Sequence, residues 1–131
     1  MTDDEFLRAF FACALKNSEF RHRDHLRLAW LVITRHGLGT AMDVIPRGIQ
    51  RFAQSRGHAA LYHQTMTVFW LRLVAHAVDN QPQIDRFEDF LEAYPLLLDP
   101  GLPYKHWSRQ AMFSDEARTG WKEPDLAALP F

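Results

Sequence analysis

Apolar positions recur at the helical period along most of the chain. Phe6, Leu7, Phe10, Phe11 and Ala14 repeat at three-to-four spacing behind the Thr2–Glu5 capping-box pair, which predicts an amphipathic helix over residues 3–16, closed by Asn17 and Ser18. A second helix is predicted from about Arg21 to His36, with Gly37 as its C-terminal cap. A third opens at Thr40 with Asp43, carries Met42, Ile45, Ile49 and Phe52 on one face, and ends at Gly57. Pro46 should kink it, because proline lacks the N–H and crowds the preceding turn. From about Tyr62 to Asp79 the chain is apolar over most of the helical circumference, the mark of a helix with neighbours on several sides. A fifth helix, about Ile84 to Tyr94, turns Phe87, Phe90 and Leu91 inward and Asp85, Glu88, Asp89 and Glu92 outward, and Pro95 stops it.

Six of the seven prolines lie after residue 80. Residues 95–131, which also hold Trp107, Phe113, Trp121 and Phe131, read as short turns and extended stretches strapped over a bundle by aromatic anchors. No stretch alternates with period two between hairpin turns, and no internal repeat is present. The pattern predicts an all-α, single-domain helical bundle of about five main helices over residues 1–94, with an irregular C-terminal strap over 95–131.

Composition narrows the class. At 131 residues, 47% hydrophobic and 24% charged, the chain is balanced as a soluble globular domain is, which excludes a disordered tail, collagen and a disulfide scaffold. The lone Cys13 forms no intramolecular bridge and reads as a small core residue in a reducing compartment. The acidic start, Met1 to Glu5, is unlike a signal peptide, and no apolar run approaches the ~18 residues of a membrane span, so a cytoplasmic protein away from membranes is expected. A net charge of −1 gives no global field for nucleic acid, and none is expected as a partner. Seven Arg against two Asp in residues 21–56 nevertheless make an arginine belt of net charge +5. The outward side of Leu31 and the apolar breadth of the fourth helix hint at a homodimer.

Histidine, with seven residues, is the compositional excess. On a wheel of 3.6 residues per turn, His22, His25 and His36 share a face with Leu26, Ala29 and Ile33. On the fourth helix His63 shares a face with Thr67, Trp70 and Val74, while Thr65 and His76 point away. If successive helices are antiparallel, the second and fourth run parallel, and His22, His25 and His63 meet at one end of the bundle. Two nitrogens from an i,i+3 pair and a third from a facing helix suit a divalent transition metal such as Zn(II), Fe(II), Ni(II) or Cu, with coordination positions left open. The same three imidazoles, kept neutral at helix N-termini, suit metal-free general acid–base work. Tyr62, Thr67 and Tyr104 are candidate substrate-binding groups, and each histidine also has the plainer reading of a satisfied core residue. Gly37-Leu-Gly-Thr40 lacks the lysine and length of a P-loop, and no nucleophile-elbow or zincin motif is present.

Phe20-Arg-His22-Arg-Asp-His25-Leu26 and Tyr62-His63-Gln-Thr65-Met-Thr67, with Phe113-Ser-Asp-Glu-Ala-Arg118 and Pro124-Asp125-Leu126, resemble an uncharacterised family of small bacterial all-α proteins. The resemblance implies a bacterial cytoplasmic protein and strengthens a site at His22, His25 and His63, but it brings no activity with it. In architecture alone the chain is similar to the DinB-like metal-binding bundles. Those use an H-x-x-x-H pair, whereas His58 and His63 here are five apart. Two functions are expected from this reading. One is an enzyme with a histidine-lined pocket for a small, anionic substrate; the other is a non-catalytic interaction protein with structural histidines and an arginine-rich partner-binding face.

Overall fold

The computed structural model describes residues 1–131, and every regular element in it is helical. The helices are α1 (Asp3–Phe11), α2 (His22–Ser55), α3 (Gln64–Asn80), α4 (Phe87–Ala93), α5 (Arg109–Met112) and α6 (Asp115–Thr119). Single 3₁₀ turns occupy Asn17–Glu19, Ala59–Leu61, Pro95–Leu98 and Leu102–Lys105. The fold is all-α, as the pattern predicts, and no helix is long and apolar enough to cross a membrane. Backbone contacts gather the chain into two compact units, Met1–Tyr62 and His63–Phe131.

The first unit is α1 packed on α2. The capping box forms as expected, with Glu5 N–H donating to Thr2 Oγ1 at 3.1 Å and Thr2 N–H donating to Glu5 Oε1 at 3.4 Å. The helix stops at Phe11, short of residue 16, because the backbone turns left-handed at Cys13 (φ 55°). There the Cys13 and Ala14 amides donate to the Phe10 and Ala9 carbonyls, closing a Schellman motif. Gly37 (φ 88°, ψ 166°) adopts a backbone region open in practice to glycine alone and breaks α2 into two rods. Pro46 lies inside the second rod, where Ile45, Pro46 and Gly48 are all buried, and Gly37 is the one residue of α2 with non-helical backbone angles.

Asp3 and Asp4, in the first turn of α1, pair with Arg27 and Arg35 of the first rod at 2.8 and 2.7 Å. Arg27 also lies over the Phe6 ring at 4.6 Å. The second rod presses close to α1: a Cβ at Gly48 would stand 2.7 Å from the Phe10 ring. Phe10 in turn meets Phe11 and Phe20 at 4.9 and 5.0 Å. Leu28 through Ile33 are all buried, so Leu31 is a core residue and not the outward one that hinted at a dimer. His36 is exposed, because Gly37 ends the rod beyond its packed part.

The second unit is built on α3, with α6 packed against it. Thr65, placed on the outer face by the wheel, is fully buried: its hydroxyl donates to the Gly120 carbonyl at 2.8 Å and accepts from Lys122 N–H at 3.1 Å. Residues 95–131 form 3₁₀ turns and short helices, with Trp107 as a buried anchor. That indole donates to the Lys122 carbonyl at 2.9 Å and meets Phe69 and Trp121 edge-on at 5.4 and 5.6 Å. Phe113 and Phe131 are exposed and anchor less than their size suggests. Ser108 and Ser114 cap α5 and α6, and Asp125 accepts from both Ser108 N–H and Ser108 Oγ–H.

Candidate functional site

His22 and His25 belong to the first unit, and His63 to the second. No group of three or more His, Cys, Asp or Glu side chains in the chain is placed to hold a metal ion, so the three-imidazole metal centre finds no donor set here. His63 is the N-cap of α3, one residue before its first helical position, so the helical wheel does not apply to it. Its Nδ1 accepts from Met66 N–H at 3.1 Å, and its Nε2 donates to the Met112 carbonyl at 2.6 Å. Both ring nitrogens are committed, and the tautomer follows: a carbonyl only accepts, so Nε2 carries the proton. Thr67 donates to the His63 carbonyl at 2.8 Å, the ordinary back-bond of a helical threonine.

His25 lies in the first turn of α2, its ring stacked on Phe20 with centroids 3.9 Å apart. Burial lowers its pKa to about 4, helped by the nearby His22 and opposed by a hydrogen bond to the Phe20 backbone and by Asp24. It is neutral at pH 7, but at that basicity it is not poised to move protons there. Asp24 itself caps the helix, accepting from Arg21 N–H at 2.9 Å. His22 is half-buried beside His25, and Tyr62 ends a 3₁₀ turn. Tyr104 lies beneath the Arg109 guanidinium at 4.5 Å. Within the two motifs His25 thus makes a ring stack, His63 a helix cap and Thr67 a back-bond.

The first unit also has a concavity away from these histidines. A groove of about 690 Å³ runs between α1 and α2. Leu7, Phe11, Val32 and Val44 give it an apolar lining, and His36, Thr40, Arg47, Gln50, Arg51 and Gln54 line it with polar groups. No carboxylate is among the lining residues. Arg47 is held by Asp43 at 2.9 Å, both side chains being exposed. Arg27 and Arg35 are paired, and Arg56 donates to the Cys13 and Leu15 carbonyls. Arg51 lines the groove without an ion pair. Most of the arginine belt is thus spent on structure, and Arg51 is its uncommitted charge at a hollow. Sequence reasoning weighed these arginines as a solvated face or as a lure for an anionic substrate or partner, without placing any of them at a hollow. A partial signal for a groove was the run Thr40, Val44, Arg47, Arg51 and Gln54, spaced four or three residues apart along one stripe of the second rod. No family model matches the chain, and neither the curated proteins nor the solved structures contain a significant match.

Proposed function

We propose that the chain is a binding protein for a small amphipathic anion, a monocarboxylate with an apolar tail, held in the α1–α2 groove of the first unit. The observation that carries this reading is the unpaired Arg51 beside an apolar lining that contains no carboxylate. A carboxylate would meet the Arg51 guanidinium, whose fork of N–H donors matches its two oxygens. The tail would lie along Phe11, Val32 and Val44. The groove falls within the roughly 300–1,000 Å³ usual for small-molecule sites. This favours the non-catalytic reading with its arginine face and keeps the small, anionic ligand expected from the sequence. His36 and Thr40 would supply further hydrogen bonds at the mouth.

Calorimetric titration with dodecanoate tests the reading. One molecule is expected to bind per chain. Arg51→Gln should weaken binding by roughly tenfold or more, the usual worth of a charge-assisted hydrogen bond, and uncharged dodecanol should bind less well than dodecanoate. No saturable binding, or equal affinity in Arg51→Gln, overturns the proposal.

A further inference from the structure

The second unit has a hollow of its own, and its chemistry is the opposite. A cavity of about 390 Å³ is lined by one face of α3 (Phe69, Leu73, His76, Ala77, Asn80), the chain from Ala93 to Leu97, and Leu102, His106 and Pro130. No Lys, Arg, Asp or Glu lines it. Its walls are almost wholly apolar, and its polar groups are few and uncharged in kind: two imidazoles, one phenol and one amide. An anion would lose its hydration there and meet no cation, which makes a charged ligand costly.

One polar group has a fixed role. His106 Nδ1 lies 3.0 Å from the Ala127 carbonyl, which can only accept, so Nδ1 carries the proton. Nε2 of the neutral ring is then an acceptor. Nearby rings already show the packing a flat guest would join: Phe69 meets Trp107 edge-on, and Phe69 and His76 each lie 6.3 Å from the Phe131 ring. The volume is near the lower end of small-molecule sites, which suits one or two fused rings.

We propose that this cavity binds a neutral aromatic molecule of one or two rings bearing a single hydrogen-bond donor, of the phenol or indole class, with the donor directed to His106 Nε2. The apolar ring is held by area burial, and the donor gives orientation and selectivity.

The test compares three probes on the full chain by calorimetry and by amide chemical-shift mapping: 2-naphthol, naphthalene and 2-naphthoate. We expect 2-naphthol to bind one to one with sub-millimolar affinity, shifting amides of Leu73, Ala77, Leu102 and His106. Naphthalene should bind more weakly, and 2-naphthoate should not bind at this cavity. His106→Phe should weaken 2-naphthol by roughly tenfold, as loss of one buried hydrogen bond does, and leave naphthalene unchanged. Ala77→Phe fills the cavity and should abolish both; if that variant does not fold, the shift map on the unaltered chain decides the location. Arg51→Gln should leave 2-naphthol binding unchanged, which separates this site from the anion groove. The proposal is overturned by absent binding, by shifts confined to residues outside the cavity, by 2-naphthoate binding there as tightly as 2-naphthol, or by His106→Phe weakening both neutral probes equally.

Discussion

The two units are held together by different means. In residues 1–62 long rods meet through rings and guanidinium groups: Phe10 against Phe20, Gly48 pressed to the Phe10 ring, and Arg27 over Phe6. In residues 63–131 the elements after α3 are short, and polar side chains close them one by one: His63 at α3, Ser108 at α5, Ser114 at α6, with Thr65 and Asp125 binding the strap. Each helix end leaves up to four N–H or C=O groups without a partner, so a unit made of many short helices spends its Ser, Thr, Asp and His on backbone. A unit made of a few long ones keeps polar side chains to spare. The hollows follow the same division. The first offers an unpaired cation, and the second offers apolar walls and the imidazole of His106.

Three measurements break or sharpen this contrast. The largest effect is expected at Thr65. Thr65→Val keeps the shape but strands the Gly120 carbonyl and the Lys122 amide in a buried setting, at a cost of about 2–3 kcal/mol. Urea unfolding should show that loss, and Thr65→Ser should recover most of it; a valine variant as stable as the parent would mean that the polar ties do not hold the second unit.

Next is the acid response of the first unit. His25 titrates at about 4 in the folded chain, against 6.5 as its ordinary value. Below pH 6.5 the unfolded chain takes up a proton that the folded one refuses, so this contribution is complete above pH 6.5 and is lost as the pH falls toward 4. The full shift would be worth ~3 kcal/mol, and the partial exposure of His25 reduces the expected loss to ~2 kcal/mol. His25→Phe keeps a ring on Phe20 and should flatten the slope of unfolding free energy between those two pH values; an unchanged slope would remove His25 as its source.

The smallest effect compares two ends within the first unit. Both α1 and α2 close through a left-handed residue, but α2 uses Gly57 (φ 73°) and α1 uses Cys13 (φ 55°). Cys13→Gly should relieve the side-chain penalty of that conformation and, after the extra freedom gained by the unfolded chain, stabilise the protein by ~0.5 kcal/mol. A rise in the thermal midpoint is the expected reading, and a fall would show that the Cys13 side chain packs usefully.

Much of the fold was legible because helical periodicity is a local signal. The caps at Thr2, Gly37 and Gly57, the stop at Pro95 and the inward Phe87, Phe90 and Leu91 all follow from residues within a few positions of each other. The early end of α1 was hidden because cysteine rarely takes a left-handed conformation, and Ala14 fitted the apolar repeat while lying exposed. The wheel placement of His63 failed for a related reason. A wheel assigns direction only inside a helix, and His63 stands one residue outside α3, where its ring serves the helix end. Thr65 was read as outward because its partners are Gly120 and Lys122, more than fifty positions away, and no local pattern announces them.

Arg56 carries a consequence for how the chain comes together during synthesis. Its guanidinium donates to the Cys13 and Leu15 carbonyls, 43 and 41 positions upstream, and lies over the Phe52 ring at 4.9 Å. Those carbonyls wait for a donor that emerges from the ribosome long after α1. The opening helix can therefore coil early and pair with the first rod through Arg27 and Arg35, while the turn that follows it gains its donor only once the far end of the second rod has been translated.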